Sequence, residues 1–229
     1  MKKELKELLK KTPFYKVLQY YRKLKLNQRV KYFHYEGEEM LQALSCSLHQ
    51  ANITFWLEFG TLLGNYREHD FIKHDLDIDI GAFLSDAPVV RKALTTSGFE
   101  LVREYRCLNN SGREECYKYK HTTFDVFYFS ETENERYCNS FSLREGISRR
   151  FNVYLPCVVK KIVVPKSEFE DVEYKGVMVK IPKQTDIYLQ HHYGINYMTP
   201  NPDFDYTKEA TNIFYYSYKD NPAEAFLKF

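Results

Sequence analysis

The amino-acid sequence predicts an α+β fold, a mixed β-sheet flanked by helices and preceded by a basic helical arm. Three observations lead there. Apolar residues recur at helical spacing over the first fifty residues and at strand spacing through much of the remaining chain. The patterns run helix, strand, helix, strand, helix and then a series of strands, an order that mixes parallel and antiparallel neighbours in one sheet. Charge is also divided unevenly. Residues 1–31 hold eleven Lys and Arg against Glu4 and Glu7, a balance of +9, which leaves −7 for the rest of a 229-residue chain whose total is +2.

The arm, residues 1–34, reads as two short amphipathic helices, one on Leu5, Leu8 and Leu9 and one on Phe14, Val17, Leu18 and Tyr21. Thr12-Pro13 between them fits an N-cap followed by Pro at the first helical position. Residues 35–229 form the predicted main domain. A helix is predicted near 38–51, with Leu41, Leu44, Leu48 and Ala51 on one face. Ile53–Glu58 alternates as a strand. FGTLLGNYRE is a glycine-flanked turn that opens a short helix, and Ile78–Phe83 is a second strand. Ala87–Ser97 is a helix stopped by Gly98. Leu101–Cys107, Glu115–His121 and Thr123–Ser130 read as strands, the last two joined very tightly. A helix is expected around 141–151, then short strands at Ile162–Pro165 and Gly176–Ile181.

A chain that is 44% hydrophobic with 17% aromatics has enough apolar mass for a core, so the 20 Tyr and 17 Phe are assigned mostly to packing. The acidic body argues against a nucleic-acid binder. No apolar run approaches the ~18–20 residues that span a bilayer, and MKKELKELLKK lacks a signal-peptide core, so the expected location is cytoplasmic. The arm's charge fits an anionic membrane surface, with peripheral binding at the cytoplasmic face. Five cysteines without CxxC spacing make a poor disulfide or zinc framework.

The densest chemistry lies in residues 55–81, FWLEFGTLLGNYREHDFIKHDLDIDIG. On a strand, side chains alternate, so Asp77 and Asp79 share one face while Ile78 and Ile80 enter the core behind it. Asp75 joins them if the strand begins that early. Carboxylates so close need a cation, and a hard divalent ion, Mg²⁺ or in its place Mn²⁺, prefers their oxygens and keeps open positions for water and phosphate. Asp125, set among Phe124, Val126, Phe127, Tyr128 and Phe129, is costly to bury without a partner and can face the same metal if its strand lies beside Ile78–Phe83. Gly60 and Thr61 open a helix, where backbone N–H groups and the Thr61 hydroxyl suit a phosphate. A glycine turn, a carboxylate pair on the next strand and a third carboxylate on a later one is the layout of the nucleotidyltransferase fold.

These residues resemble the LicD/fukutin family of phosphotransferases, whose pattern runs W-h-x-x-G-T/S-L-L-G-x-x-R and then D-x-D-h-D-h. Trp56, Glu58, Gly60, Thr61, Leu62, Leu63, Gly64 and Arg67 meet the first part, and Asp75, Asp77 and Asp79 the second. Tyr188-Leu189, Tyr193-Gly194 and Tyr197-Met198-Thr199-Pro200 look like the family's closing pattern. One departure is Lys73-His74-Asp75-Leu76 where members often have Pro-Trp-Asp-Asp. The resemblance implies transfer of a phospho-alcohol or phospho-sugar unit from a CDP-activated donor to a glycan or lipid-linked glycan hydroxyl, with release of CMP. Asp77 and Asp79 would hold the metal against the diphosphate, and Asp125 would complete that site or take the hydroxyl's proton. Gly60, Thr61 and Arg67 would bind phosphate. Glu58 is a second base candidate or a hydrogen-bond acceptor for the turn, and His74 a donor contact. The His191-His192 pair reads as a helix-end feature. Two other readings stay open: transfer of NMP onto a sugar or protein, and a non-catalytic membrane-surface module.

Overall fold

In a computed structural model of the chain, residues 13–201, 204, 206–216 and 221–228 are described. The first predicted arm helix, on Leu5, Leu8 and Leu9, lies outside them. The second does not stand alone: a single helix, α1, runs from Pro13 to Gln50 and absorbs both the 14–21 and the 38–51 predictions. It passes residues 34 and 35 without a break. Burial changes there instead. Residues 14–31 are mostly exposed, whereas Phe33, Met40, Leu41, Leu44 and Leu48 are fully buried. The buried half is tied down by polar contacts. Glu36 accepts from the His121 backbone N–H, Glu39 from the Tyr119 hydroxyl, and the Tyr32 ring stacks on His121 at 4.4 Å.

Beyond α1 the chain forms β1 (Phe55–Leu57), α2 (Phe59–Glu68), β2 (Asp77–Phe83), a 3-10 turn at Leu84–Asp86, α3 (Ala87–Thr96), β3 (Glu100–Cys107), β4 (Arg113–Tyr119), β5 (Thr122–Glu131) and β6 (Glu135–Leu143). Next come β7 (Tyr154–Pro165), β8 (Phe169–Tyr174), β9 (Val177–Pro182), α4 (Thr185–Tyr193), α5 (Tyr206–Glu209), β10 (Ile213–Tyr215) and β11 (Ala223–Leu227). The helix expected around 141–151 is absent. Its first residues belong to β6, where Phe141 is buried between part-exposed Ser140 and Ser142, and Gly146 at φ +84° leaves helical geometry. The short strand at Ile162–Pro165 is the end of twelve-residue β7, and β9 has a hairpin partner, β8, joined through Lys175 and Gly176 at φ +52° and +75°. That pair of left-handed residues is what a two-residue hairpin turn needs.

The fold is α+β, as expected, but the sheet is not simply open. β7, β11, β3, β4, β5 and β6 pair in a closed circuit, every pairing antiparallel. This closure was not expected, because β11 and much of β6 and β7 carry no strand signal. It removes edge strands that would otherwise stay unpaired. The circuit has its own small core of Tyr105, Cys107, Phe141, Leu155, Cys157, Val159, Ala223, Ala225 and Leu227. From β5 the sheet continues through parallel β2, then β1, β9 and β8. There α1 to α4 cover a larger core that includes Leu62, Ile78, Ile80, Phe124 and Val126. All five cysteines are free thiols, four of them buried.

Candidate active site

β2 and β5 run parallel, and their register sets Asp79 opposite Asp125. The condition on Asp125, that its strand lie beside Ile78–Phe83, is met. Ile78 and Ile80 are fully buried, so Asp77 and Asp79 face the other way, as the period of two requires. The register continues across the sheet: Asp125 pairs with Cys116 on β4, and Cys116 with Arg103 on β3. One line across four strands therefore reads Asp79, Asp125, Cys116, Arg103. Asp75 precedes β2 rather than lying on it, yet its carboxylate reaches the start of α2. A Cβ added at Gly60 would stand 3.3 Å from Asp75 Oδ2, so glycine there leaves room for the acid.

Burial, and then mutual repulsion, raises Asp75, Asp77 and Asp79. Asp77 is pushed up to about 6, first by burial and then by Asp125, with Arg29 of α1 and Arg103 pulling it back. Asp75 is pushed up to about 7 by burial, Asp77 and Glu68, against Arg67. Asp79 lies well above the usual carboxylate range, through burial and then Asp77, Asp125, Asp75 and Glu58. An all-oxygen donor set under this much repulsion suits a hard divalent cation. Among the described residues, no three His, Cys, Asp or Glu side chains stand ready as a metal cage. Asp125 is turned to Arg103, whose Nη2 donates to Oδ1 at 3.0 Å and Oδ2 at 2.8 Å.

The turn that opens α2 is built differently from a simple phosphate loop. Phe59 has φ +42°, a left-handed value that a non-glycine residue adopts only when packing enforces it. Its ring is enclosed by Phe127 at 4.6 Å, His192 at 4.9 Å and Tyr206 at 5.8 Å. Thr61 is buried, and its Oγ1 accepts the Asp79 backbone N–H at 2.8 Å, which fastens α2 to β2. Arg67 is held through Nη2 to Glu68 Oε1 at 2.6 Å and through Nη1 to the Tyr197 carbonyl at 3.0 Å. Its charge reaches Asp75 from that tether. His74 is exposed in the loop before Asp75 and makes no hydrogen bond among the described residues.

Glu58 is fully buried. Its Oε2 accepts from Trp56 Nε1 at 2.7 Å and the Tyr188 hydroxyl at 2.8 Å, and its Oε1 meets His192 Nε2 at 3.0 Å. His192 Nδ1 in turn meets the Tyr206 hydroxyl at 2.8 Å. Of the two roles open for Glu58, this environment is that of a structural acceptor, because the carboxylate is fully buried and both its oxygens are already engaged. His192, expected as a helix-end feature, is the link between α4 and the turn. Sequence reasoning missed Arg103, Glu114 and Cys116. Their signal is the alternation of β3 and β4, which places Arg103 and Tyr105, and Glu114 and Cys116, on the Asp face.

The family model described as LicD/FKTN/FKRP, nucleotidyltransferase domain, matches residues 52–184. The chain belongs to this family. The match runs from β1 to β9 and encloses Glu58, Asp75, Asp77, Asp79, Glu114 and Asp125. Among curated relatives, the ribitol-5-phosphate transferase FKTN of Mus musculus is 25% identical over 182 residues, which is 79% of this chain and 37% of the mouse protein. That of Homo sapiens is likewise 25% identical over 182 residues, again 79% of this chain and 37% of the human protein. The uncharacterized protein T07A5.1 of Caenorhabditis elegans is 40% identical over 79 residues, 33% of this chain and 21% of that protein. This chain thus spans well under half the length of the relatives it matches. Among solved structures, the lincomycin-bound lincosamide antibiotic adenylyltransferase LnuA gives a TM-score of 0.42 at 13% identity, over 70% of this chain and 94% of that one, a loose likeness.

Proposed function

We propose that this chain transfers a phospho-alcohol or phospho-sugar unit from a CDP-activated donor to a glycan hydroxyl, releasing CMP. The observation that carries the reading is the parallel β2–β5 register, which sets Asp79 against Asp125 inside the segment matched by the family. The activity for which the mouse and human relatives are named makes CDP-ribitol the first donor to test.

In this reading Asp77, Asp79 and Asp125 hold Mg²⁺, or Mn²⁺ in its place. The bound cation supplies charge neutralisation at the diphosphate. The remaining work falls to the protein. The Thr61–Asp79 bond and the Glu58 network keep the carboxylate face fixed relative to the start of α2. The acceptor hydroxyl oxygen forms a bond to the transferred phosphorus, the bond from that phosphorus to the CMP oxygen breaks, and the hydroxyl proton passes to a carboxylate of the cluster.

The reading places the enzyme at a membrane surface, on a lipid-linked glycan acceptor. In support, Phe14, Val17, Tyr21 and Leu24 of α1 are 74%, 65%, 54% and 48% exposed and recur at helical spacing, with Lys16, Arg22, Lys23, Lys25, Arg29 and Lys31 between and beside them. Among the described residues no helix is long and apolar enough to cross a membrane. Arg29 also acts on Asp77, so the basic stripe leads toward the carboxylates. The test is incubation with CDP-ribitol, CDP-glycerol and CDP-choline plus Mg²⁺ and candidate glycans, with mass analysis of the acceptor. Phospho-alcohol on the acceptor and free CMP support the reading. Nucleotide on the acceptor replaces it with NMP transfer.

A further inference from the structure

The register line across β2, β5, β4 and β3 ends in a cation. Arg103 puts one nitrogen, Nη2, on both oxygens of Asp125 and leaves its Nε buried without a hydrogen-bond partner. On β4, Glu114 pairs in register with Tyr105, one diagonal from Arg103, and its Oε2 is likewise buried and unpartnered. Glu114 itself is 6% exposed. A guanidinium carries five donors in a rigid fork suited to two-point recognition of carboxylate or phosphate, and this one is only partly used. The Arg103 side chain stays 30% exposed, so one side of it remains open to a ligand that enters beside Asp125.

We infer that Arg103 is a two-position residue: it caps Asp125 while the carboxylate cluster is empty, and it grips the donor's diphosphate once a divalent cation has taken Asp125. The inference rests on the reading of the cluster as a cation site. One nitrogen of Arg103 spans both oxygens of Asp125, so a cation that takes one of them breaks this grip, and its charge repels the guanidinium out of the cluster. A divalent cation offsets the repulsion among Asp77, Asp79 and Asp125 that Arg103 otherwise relieves. The freed fork then lies at the end of the carboxylate line, and a diphosphate drawn to the cation brings the oxygens it is shaped to bind. Arg103 therefore opposes the cation before the donor arrives and supports the donor afterwards.

A residue with only a structural role has no reason to affect the two ligands in opposite directions. The experiment measures Mn²⁺ binding to the full chain by titration without nucleotide, then CDP binding at saturating Mn²⁺, for wild type, Arg103→Gln and Arg103→Lys. The expected result is Mn²⁺ affinity raised about three- to tenfold in Arg103→Gln, and CDP affinity reduced at least tenfold in both variants, because lysine keeps the charge and loses the fork. Circular dichroism and thermal melting establish that each variant is folded. If Arg103→Gln does not fold, Arg103→Lys decides the matter, with weaker CDP binding and Mn²⁺ binding no weaker than wild type as the expected pair. Unchanged or weakened Mn²⁺ binding together with unchanged CDP binding overturns the inference, and so does tighter Mn²⁺ binding with CDP binding intact. The reading of the cluster fails separately, if wild type binds Mn²⁺ no better than Asp79→Asn does.

Discussion

Replacing Glu58 by Ala is expected to destabilise the protein severely, because the residue is fully buried and anchors three polar side chains. Its carboxylate takes three donors from two elements distant in sequence: Trp56 Nε1, the Tyr188 hydroxyl and His192 Nε2. All four side chains are fully or almost fully buried. Alanine removes the acceptor and admits no water to replace it, so each donor keeps a desolvation penalty of about 1–3 kcal/mol. Allowing for relaxation of the Tyr188 hydroxyl, the sum is about 3–5 kcal/mol, a large share of the ~5–15 kcal/mol that stabilises a typical domain. At roughly 2–4 °C per kcal/mol for a chain of this size, the melting temperature falls by about 10 °C. Glu58→Gln should lose less. Its amide oxygen can face Trp56 and Tyr188, while its NH₂ donates to His192 once that ring carries its proton on Nδ1 and gives it to Tyr206. Urea denaturation of the three proteins checks the order. A loss below about 1 kcal/mol in Glu58→Ala would refute the account of this network.

The same geometry sets other outcomes. Asp75 and Asp77 are held at about 7 and about 6, above their unfolded value of 3.8, so the folded protein binds more protons than the unfolded chain between those limits. Without metal, stability therefore falls as pH rises from about 4 to about 7, by an amount on the order of a few kcal/mol, and saturating Mg²⁺ flattens the trend. Melting curves of wild type and Asp75→Asn across that range check this, and a slope that persists unchanged in the variant contradicts it. Gly81→Ala would drive a Cβ into the Trp56 ring, so a loss of about 1–3 kcal/mol is expected in denaturant titrations. For α1, combined Arg22→Glu, Lys23→Glu and Lys25→Glu removes about 1 kcal/mol of lipid attraction per residue, which predicts binding to anionic vesicles weakened about a hundredfold or more. Equal sedimentation of variant and wild type with such vesicles contradicts that reading.

The strands nearest the chemistry are legible in the sequence because their alternation is strict: Asp77-Ile78-Asp79-Ile80 can be half-buried in only one way, and it is. The β4–β5 connection is legible too, as is the helix ended by Gly98. What escapes are elements whose pattern depends on distant partners. β11 is short and Ala-rich, and it reads as a strand only once β3 and β7 flank it. β6 contains Arg136 and Asn139, both buried, which mask its alternation. Arg136 is sheltered by Trp56, Phe83 and Phe169, with ring centres 4.3–5.7 Å from its guanidinium. In the site, the motif identifies the acids but not their counter-charge. Arg103 lies on a strand that carries no motif, and only the register of two pairings brings it to Asp125.

The central claim is that Asp79 and Asp125, paired in register, form one transfer site. The direct measurement is CMP release from a CDP-alcohol, with Mg²⁺ and acceptor, by wild type, Asp79→Asn and Asp125→Asn. Loss of several kcal/mol of transition-state stabilisation predicts rates at least about a hundredfold lower in both variants, with wild-type melting temperatures or higher. Wild-type rates in either folded variant would contradict the claim.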